Sequence, residues 1–283
     1  MLSLSIQCAV PSLAADLSGR EIMEQVQERH RQYPWVFEEQ SIVLTDRNGK
    51  RDSRKAIRYS RAGSDGDMDF LLVFSFPSEV RGVAVLAHRD PSGSISKQVY
   101  LPALGQRLVA STGAGSEGNF LGTDFSVEDL AGDAPQRYAY VRRGDTELDS
   151  VRYYTVDVYA GDGAGSAGVP LRRHFVRQDI FFVTRTDHYD GQGRVQKRQT
   201  WHDLVNIDDT MWRSNMILMI DVKEQHETLV KIDRRVLSRD YVPDQVFTAA
   251  WLFENYPEIR DPEPDTNGDA TIADSGGDAV KAP

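Results

Sequence analysis

The fold class is indicated by an apolar run of eight residues, DFLLVFSF, at positions 69–76. Successive side chains of a strand point to opposite faces, so one face of this run carries three Phe and a Leu, and the other carries Leu71 and Val73. A strand with one face in water alternates apolar and polar residues, and this run does not. Both faces are therefore expected to be covered, either by helices and loops alone or by a lipid held on the concave side of a curved sheet.

Three further runs repeat this property, and they lie at residues 83–87, 180–183 and 216–220. About eleven strands are predicted between residues 40 and 237, most of them separated by short turns. The strongest hairpin signal is Asn48-Gly49, because this pair favours the turn that matches the twist of two antiparallel strands. The pattern predicts a mainly β (α+β) chain with one large antiparallel sheet or barrel.

Few helices are predicted. Residues 18–32 form the clearest one, since Ser18 and Glu21 have the spacing of a capping box and Pro34 ends the segment. Two short helices are predicted at residues 126–130 and 243–255. With no linker inside the body, residues 16–256 are predicted to be one domain.

Charge excludes one class of partner. The 283 residues include 33 Lys plus Arg and 43 Asp plus Glu, which gives a net charge of −10. Residues 257–283 hold seven acidic and two basic residues and lack periodicity, so we expect a disordered acidic tail. The remaining body is mildly acidic, and it lacks the basic excess of a nucleic-acid-binding protein.

The first residues indicate export. Residues 1–15, MLSLSIQCAVPSLAA, read as the apolar region and cleavage zone of a secretory signal peptide, although the usual basic start is missing. Cys8 is the only cysteine, so an intrachain disulfide and a cysteine zinc site are impossible. Localisation in the periplasm of a Gram-negative bacterium is the expectation.

The catalytic and cofactor motifs in the sequence lack the neighbouring elements or the spacing that their functions require. Residues 113–118 and 163–168 match G-x-G-x-x-G, but no helix follows either one, so both are interpreted as loops rather than nucleotide sites. Residues 265–269 have calcium-like oxygens with glycine at the wrong position. The six histidines lack metal-site spacing, and no G-x-S-x-G elbow occurs. The sequence therefore predicts no metal, no cofactor and no enzymatic activity.

Candidate cavity residues come from the doubly apolar strands and from bulky side chains near the helices. An acyl chain would contact apolar and adaptable side chains, and two tryptophans are suited to close the mouth of a cavity. The candidates are Trp35, Phe70, Leu72, Phe74, Val83, Val85, Phe181, Met216, Met219 and Trp251.

Three segments carry a family resemblance: PSEVRGVAVL at residues 77–86, VYLPAL at 99–104 followed by Arg107, and GNFLGTDFSVEDL at 118–130. With the opening helix and DYVPD at 240–244, they resemble the outer-membrane lipoprotein-sorting proteins with a LolA-like domain, over roughly residues 18–255. The resemblance implies an incomplete antiparallel barrel of about eleven strands around an apolar cavity closed by short helices. It also implies lipid or lipoprotein acyl chains as cargo, with an inner-membrane exporter of the RND type and an outer-membrane acceptor as partners.

Three functional hypotheses remain at this point. The leading one is a periplasmic carrier that shields acyl chains and transfers them toward the outer membrane. The alternative is a non-carrying accessory or interaction module of an RND-type lipid exporter, which predicts a filled core. A hydrolase would require a nucleophile beside a histidine.

Overall fold

The computed structural model describes residues 16–30, 34–63, 66–102, 108–111, 120–131, 137–161, 168–208 and 210–256. Within these ranges, helix α1 spans Gly19–His30, α2 spans Val127–Ala131 and α3 spans Ala249–Asn255. Short 3-10 helices lie at Phe120–Gly122, Arg239–Tyr241 and Asp244–Phe247.

The predicted start of α1 is confirmed. The Ser18 amide donates to Glu21 Oε2 at 2.8 Å, and the Glu21 amide donates to Ser18 Oγ at 3.2 Å. These reciprocal bonds satisfy two amides that no helical carbonyl can reach, as a capping box does.

The described residues form fourteen strands in one antiparallel sheet. The first six are β1 Trp35–Thr45, β2 Arg51–Ala62, β3 Met68–Phe76, β4 Ala84–Arg89, β5 Ile95–Tyr100 and β6 Leu108–Ser111. The next four are β7 Tyr138–Arg142, β8 Thr146–Leu148, β9 Val151–Ala160 and β10 Arg172–Arg177. The last four are β11 Phe182–Tyr189, β12 Val195–Asp208, β13 Met211–Asp221 and β14 His226–Val236.

The sheet consists of two meanders joined by one long-range pairing. Its order is β6-β5-β4-β3-β2-β1-β14-β13-β12-β11-β10-β9-β7, with β8 paired to β9. The β1–β14 ladder joins the beginning and the end of the domain, from Phe37 opposite Val236 to Thr45 opposite Glu227. The order ends at β6 and β7, so the sheet is open rather than closed into a barrel.

The sheet is strongly curved. Arg137, just before β7, donates from Nη1 to the carbonyl of Gly93 in the turn after β4, at 2.5 Å. Ten strand-to-strand steps separate β4 from β7, which would be roughly 48 Å in a flat sheet. The sheet therefore forms a half-barrel, which agrees with the predicted incomplete barrel.

The strand register defines an inner face, since directly paired residues of neighbouring strands lie on the same side. Glu38 on β1 pairs with Arg58 on β2 and with Arg235 on β14, and Arg58 pairs with Leu72 on β3. Helix α1 packs on this face over β7, β9 and β10, where Ile22 contacts the cluster of buried side chains there. Residues 120–131, called the inner segment below, pack on the same face over β1 to β5, β13 and β14.

The run at residues 69–76 is β3, and protein covers both of its faces. Phe70 and Phe74 lie in the inner cluster beneath the inner segment. Leu71 and Val73 face the outer side, where Val246 and the helix α3 cover them. The prediction that both faces of this strand are covered is confirmed, and the cover is the protein itself.

The strand count differs from the expected eleven for local reasons. The predicted strand at 174–184 is two strands, β10 and β11, because the chain turns at residues 178–181, where Phe181 has a φ of 51°. This left-handed conformation is unusual for a bulky residue, and its sequence carries no turn signal. β8 has only three residues, too few for a periodic pattern.

Several sequence predictions lie outside the described residues. They are the signal peptide at 1–15 with Cys8, the glycine motif at 113–118, nearly all of the one at 163–168, and the acidic tail at 257–283 with its calcium-like residues. Among the residues that are described, none of the helices combines the length and apolar character required to cross a membrane.

Candidate functional site

A cavity opens on the inner face between α1 and the inner segment. Its volume is about 840 Å³, and its walls include Gln27 of α1, Leu130 of α2, Arg58 of β2 and Trp201 of β12. A smaller compartment of about 430 Å³ adjoins it beside Val26 of α1. The two compartments share six lining residues, namely Pro34, Arg58, Ala62, Met68, Trp201 and Ile217.

Apolar side chains form much of the wall. They come from strands at both sides of the half-barrel and from both covering segments, so the cavity spans the width of the inner face. These residues are Val26, Pro34, Trp35, Val36, Met68, Phe125, Leu130, Phe182, Val183, Trp201 and Ile217.

The smaller compartment also contains a charged network centred on Glu38, whose side chain is 6% exposed. Arg235 Nε donates to Glu38 Oε1 at 2.8 Å, and Gln40 Nε2 donates to Oε2 at 2.8 Å. Arg58 Nη1 lies 3.6 Å from Oε2. Burial opposes ionisation of Glu38, but the charges of Arg58 and Arg235 and these hydrogen bonds lower its pKa below the usual 4.5.

Arg213 adds a third guanidinium to this compartment. Burial and the positive charge of Arg235 lower the pKa of Arg213 to about 10, although Glu38 acts in the opposite direction. Arg213 therefore remains protonated at neutral pH. Three cations and one carboxylate thus line the smaller compartment.

The rim of the larger compartment is held by ion pairs and stacking. Arg61 Nη1 lies 2.7 Å from Asp244 Oδ1, and Arg61 Nη2 lies 2.5 Å from Asp69 Oδ2. The Arg239 guanidinium stacks over Trp35 at 5.6 Å from the ring centroid and approaches Asp244 at 3.4 Å. These contacts attach the segment after β14 to the beginning of β1 and to the end of β2, where Arg61 also pairs with β3.

The inner segment is anchored through Asp124, whose side chain is 1% exposed. Thr228 Oγ1 donates to Asp124 Oδ2 at 2.7 Å and accepts from the Asp124 amide at 2.9 Å. His226 Nδ1 lies 2.8 Å from Oδ2, and Lys197 Nζ donates to the Asp124 carbonyl at 2.9 Å. These bonds connect the inner segment to β12 and β14.

Arginines of β2 anchor the same segment from the other side. Arg54 donates to the carbonyl of Leu121, and Arg58 Nη2 donates to the carbonyl of Leu130 at 3.1 Å. Arg58 therefore connects the wall of the cavity to the segment that closes one end of it.

The hydrolase hypothesis requires a Ser or Asp within hydrogen-bond reach of a histidine, and two histidine–aspartate contacts are present. His226 contacts Asp124, and on the outer face His88 Nδ1 lies 2.7 Å from Asp69 Oδ1. Two other histidines contact threonine hydroxyls: His174 Nδ1 lies 2.8 Å from Thr186 Oγ1, and His202 Nε2 lies 2.8 Å from Thr200 Oγ1. Among the residues that the structure describes, no group of three or more His, Cys, Asp or Glu side chains could hold a metal ion.

A family model described as "Uncharacterized protein" matches residues 66–254, which run from just before β3 into α3. This match covers about two thirds of the chain. The chain belongs to this family. A search of curated protein sequences finds no match.

Solved structures show the same fold as this family member. A domain from Vibrio parahaemolyticus named for outer membrane lipoprotein sorting has a TM-score of 0.75 and 19% identity, covering 83% of this chain and 97% of that one. A DUF1329 family protein from Desulfovibrio piger has a TM-score of 0.73 and 22% identity, with 83% and 97% coverage. A LolA superfamily protein from Nitrosomonas europaea has a TM-score of 0.65 and 18% identity, with 83% and 99% coverage. The predicted LolA-like fold is therefore confirmed.

Of the ten predicted cavity residues, one lines the cavity, five lie in the inner cluster and four lie elsewhere. Trp35 lines the cavity at its rim. Phe70, Leu72, Phe74, Val85 and Met219 lie on the inner face within the cluster that includes the inner segment. The remaining residues are Val83, buried just before β4; Phe181, stacked on Tyr154; Met216, on β13 with the opposite parity to Met219; and Trp251, against Tyr59 on the outer side. Contact of any of them with a lipid remains a prediction.

Sequence reasoning missed Glu38, Arg58, Arg213 and Arg235. They come from four strands, and they come together through the pairing of β1 with β2 and β14 and of β14 with β13. A local signal was present, since Val36, Glu38, Gln40, Ile42 and Leu44 share one face of β1 and change from charged and polar to apolar along it. The pairing partner of that face, however, is about 190 residues away.

Proposed function

We propose that this protein is a periplasmic carrier that holds acyl chains of a lipoprotein or another lipid in the inner-face cavity and delivers them toward the outer membrane. The observation that carries the proposal is a half-barrel with an 840 Å³ cavity between two covering segments. This volume lies in the range of small-molecule sites, roughly 300–1,000 Å³. The function is transport without covalent chemistry, so the protein is not an enzyme.

The energetics of acyl transfer require such a cavity. A buried methylene contributes about 0.8 kcal/mol, so exposing a 16-carbon chain to water costs on the order of 12 kcal/mol. A carrier must shield the chain and also release it. A partly open cavity with apolar walls and a charged rim meets both needs, because the chain can enter without unfolding the sheet.

The fold also supports the carrier function. The Vibrio parahaemolyticus domain is named for outer membrane lipoprotein sorting, and its fold is the one found here. An exporter of the RND type and an outer-membrane acceptor remain the proposed donor and recipient. The alternative, a non-carrying module of such an exporter, predicts a filled inner face, and the cavity favours the carrier.

The test is acyl binding by the native protein purified from the periplasm. Ala62 lies on β2 and lines both compartments, so Ala62→Trp should fill the cavity and weaken binding of a fluorescent fatty-acyl probe at least about tenfold. Ser53→Trp is the matched control, because Ser53 is exposed on the opposite face of the same strand. It should bind like the native protein.

Two outcomes would contradict the proposal. One is a native protein that binds no acyl probe and carries no lipid detectable by mass spectrometry. The other is equal weakening by Ala62→Trp and Ser53→Trp, which would place the probe elsewhere.

A further inference from the structure

The smaller compartment has a net positive charge, which binding of an acyl chain alone does not require. Its charged lining residues are Glu38, Arg58, Arg213 and Arg235. Three guanidinium groups and one carboxylate leave two positive charges in excess among these described residues. The side chains of Arg58 and Arg235 are 21% and 10% exposed, so water reaches this charge poorly.

Glu38 is already fully engaged. Its Oε1 accepts from Arg235, and its Oε2 accepts from Gln40 and faces Arg58. The additional partners of Arg235 are the carbonyl of Ser214 at 2.7 Å and Asn215 Oδ1 at 3.1 Å. These partners are neutral, so they satisfy donors without cancelling charge.

Excess buried charge is unfavourable in a folded protein. Removing a charge from water costs several kcal/mol unless an opposite charge compensates it. The lowered pKa of Arg213 has this origin, because burial and Arg235 both disfavour its charged form. A bound anion would relieve this cost.

The apolar side chains around the three arginines indicate which type of anion would fit. Val26, Val36, Phe182 and Trp201 line the same compartment, and Ile217 continues the apolar wall into the larger one. A small hydrated ion would leave this apolar surface uncovered. An amphiphile would place its charged group at the guanidinium groups and its chain along the apolar walls. Guanidinium groups match phosphate and carboxylate oxygens in planar, paired hydrogen bonds.

We propose that the smaller compartment binds the oxyanion headgroup, phosphate or carboxylate, of a lipid whose acyl chain occupies the larger compartment. This inference rests on the proposed carrier function and adds the class of cargo, an anionic lipid. Arg213 and Arg235 hold the headgroup, and Arg58 faces both the ligand and the inner segment, since it donates to the Leu130 carbonyl.

The experiment compares two lipids that differ only in the headgroup. Binding of a monoacylglycerol phosphate and of the neutral monoacylglycerol with the same chain is measured by displacement of a fluorescent acyl probe from the native protein. We expect the phosphate lipid to bind at least about tenfold more tightly, since a charge-assisted hydrogen bond exceeds the 1.4 kcal/mol that corresponds to tenfold. Inorganic phosphate alone should displace the probe only at far higher concentration.

Variants assign the preference to the cluster. Arg213→Gln should weaken binding of the phosphate lipid far more than binding of the neutral lipid and so remove most of the preference, while Arg213→Lys retains the charge and should restore much of it. Glu38→Gln removes the opposing carboxylate and should strengthen binding of the phosphate lipid. Arg194→Gln is the control, because Arg194 is 74% exposed in the turn between β11 and β12.

The results separate the two proposals. Equal affinity for the two lipids, or equal weakening of both by Arg213→Gln, would overturn the anionic headgroup and leave the carrier intact. Inorganic phosphate binding as tightly as the phosphate lipid would overturn the headgroup as well. Failure of both lipids to bind would overturn the carrier function itself. Selective loss of the phosphate preference in Arg213→Gln, with recovery in Arg213→Lys, distinguishes a binding residue from a structural one.

Discussion

The two halves of β1 share one face and differ in what covers them. Toward the end of the strand, Ile42 and Leu44 are 3% and 5% exposed beneath the inner segment. Toward its beginning, Val36 and Glu38 line the cavity. The same alternation of side chains thus produces a dry core at one end and a binding surface at the other.

This difference shows that strand alternation alone does not make a cavity. The inner segment fills the half of the inner face over β1 to β5, and it is fixed there through Asp124 and Arg54. Helix α1 fills the region over β7, β9 and β10. The cavity is the part of the inner face between the inner segment and helix α1. Charged side chains occupy positions there that neither of these segments covers.

The largest expected effect is on the free energy of unfolding, and it is seen by comparing two residues of β3 on the inner face. Phe70 is 1% exposed in the covered half, so Phe70→Ala should lower the free energy of unfolding by about 3–5 kcal/mol. Met68 pairs with Ala62 and lines the cavity, so Met68→Ala should cost less than about half as much. Urea unfolding of both variants measures the difference, and equal losses would show that the two halves are packed alike.

A smaller loss is expected from the anchor of the inner segment. Asp124→Ala removes a buried acceptor of Thr228 and His226 and should lower the free energy of unfolding by about 2–3 kcal/mol. Hydrogen exchange should increase in residues 120–131 more than in β9 and β10. Asp233→Ala, at a more exposed site on β14, is the control. Uniform protection throughout the variant would contradict the anchoring role of Asp124.

The free energy of unfolding should depend on pH through Glu38, which lies in the cavity half of β1. Its pKa is lowered in the folded protein, so its ionisation contributes stability that is fully present above the usual pKa of 4.5 and is lost as the pH falls through the lower folded pKa. Glu38→Gln should therefore flatten the decline of unfolding free energy below about pH 4.5. Identical pH profiles for the native protein and the variant would show that Arg58 and Arg235 do not favour the charged form.

The sequence predicted the local elements well. The capping box of α1, the hairpin at Asn48-Gly49 and the double cover of β3 each depend on neighbours in sequence, and each was confirmed. The LolA-like fold followed from short motifs near the inner segment.

The site was predicted less well for a physical reason. A doubly apolar strand requires cover, but its residues do not determine whether a lipid or the protein provides it. Phe70 and Met219 are apolar enough to contact a lipid, but the inner segment covers them. The cavity lies where polar and apolar residues mix, and Glu38 and Arg213 come together only through pairings across the curved sheet.

The most direct test of acyl binding in the cavity uses the four tryptophans as reporters. Trp35 and Trp201 line the cavity, whereas Trp251 packs on the outer side and Trp212 is outside the lining of either compartment. A fatty acid brominated on its chain quenches tryptophan fluorescence only at short range. If the acyl chain occupies the cavity, quenching should be strong in the native protein and in the Trp212→Phe/Trp251→Phe variant, and it should disappear in Trp35→Phe/Trp201→Phe. Quenching that persists in the latter and disappears in the former would contradict the account.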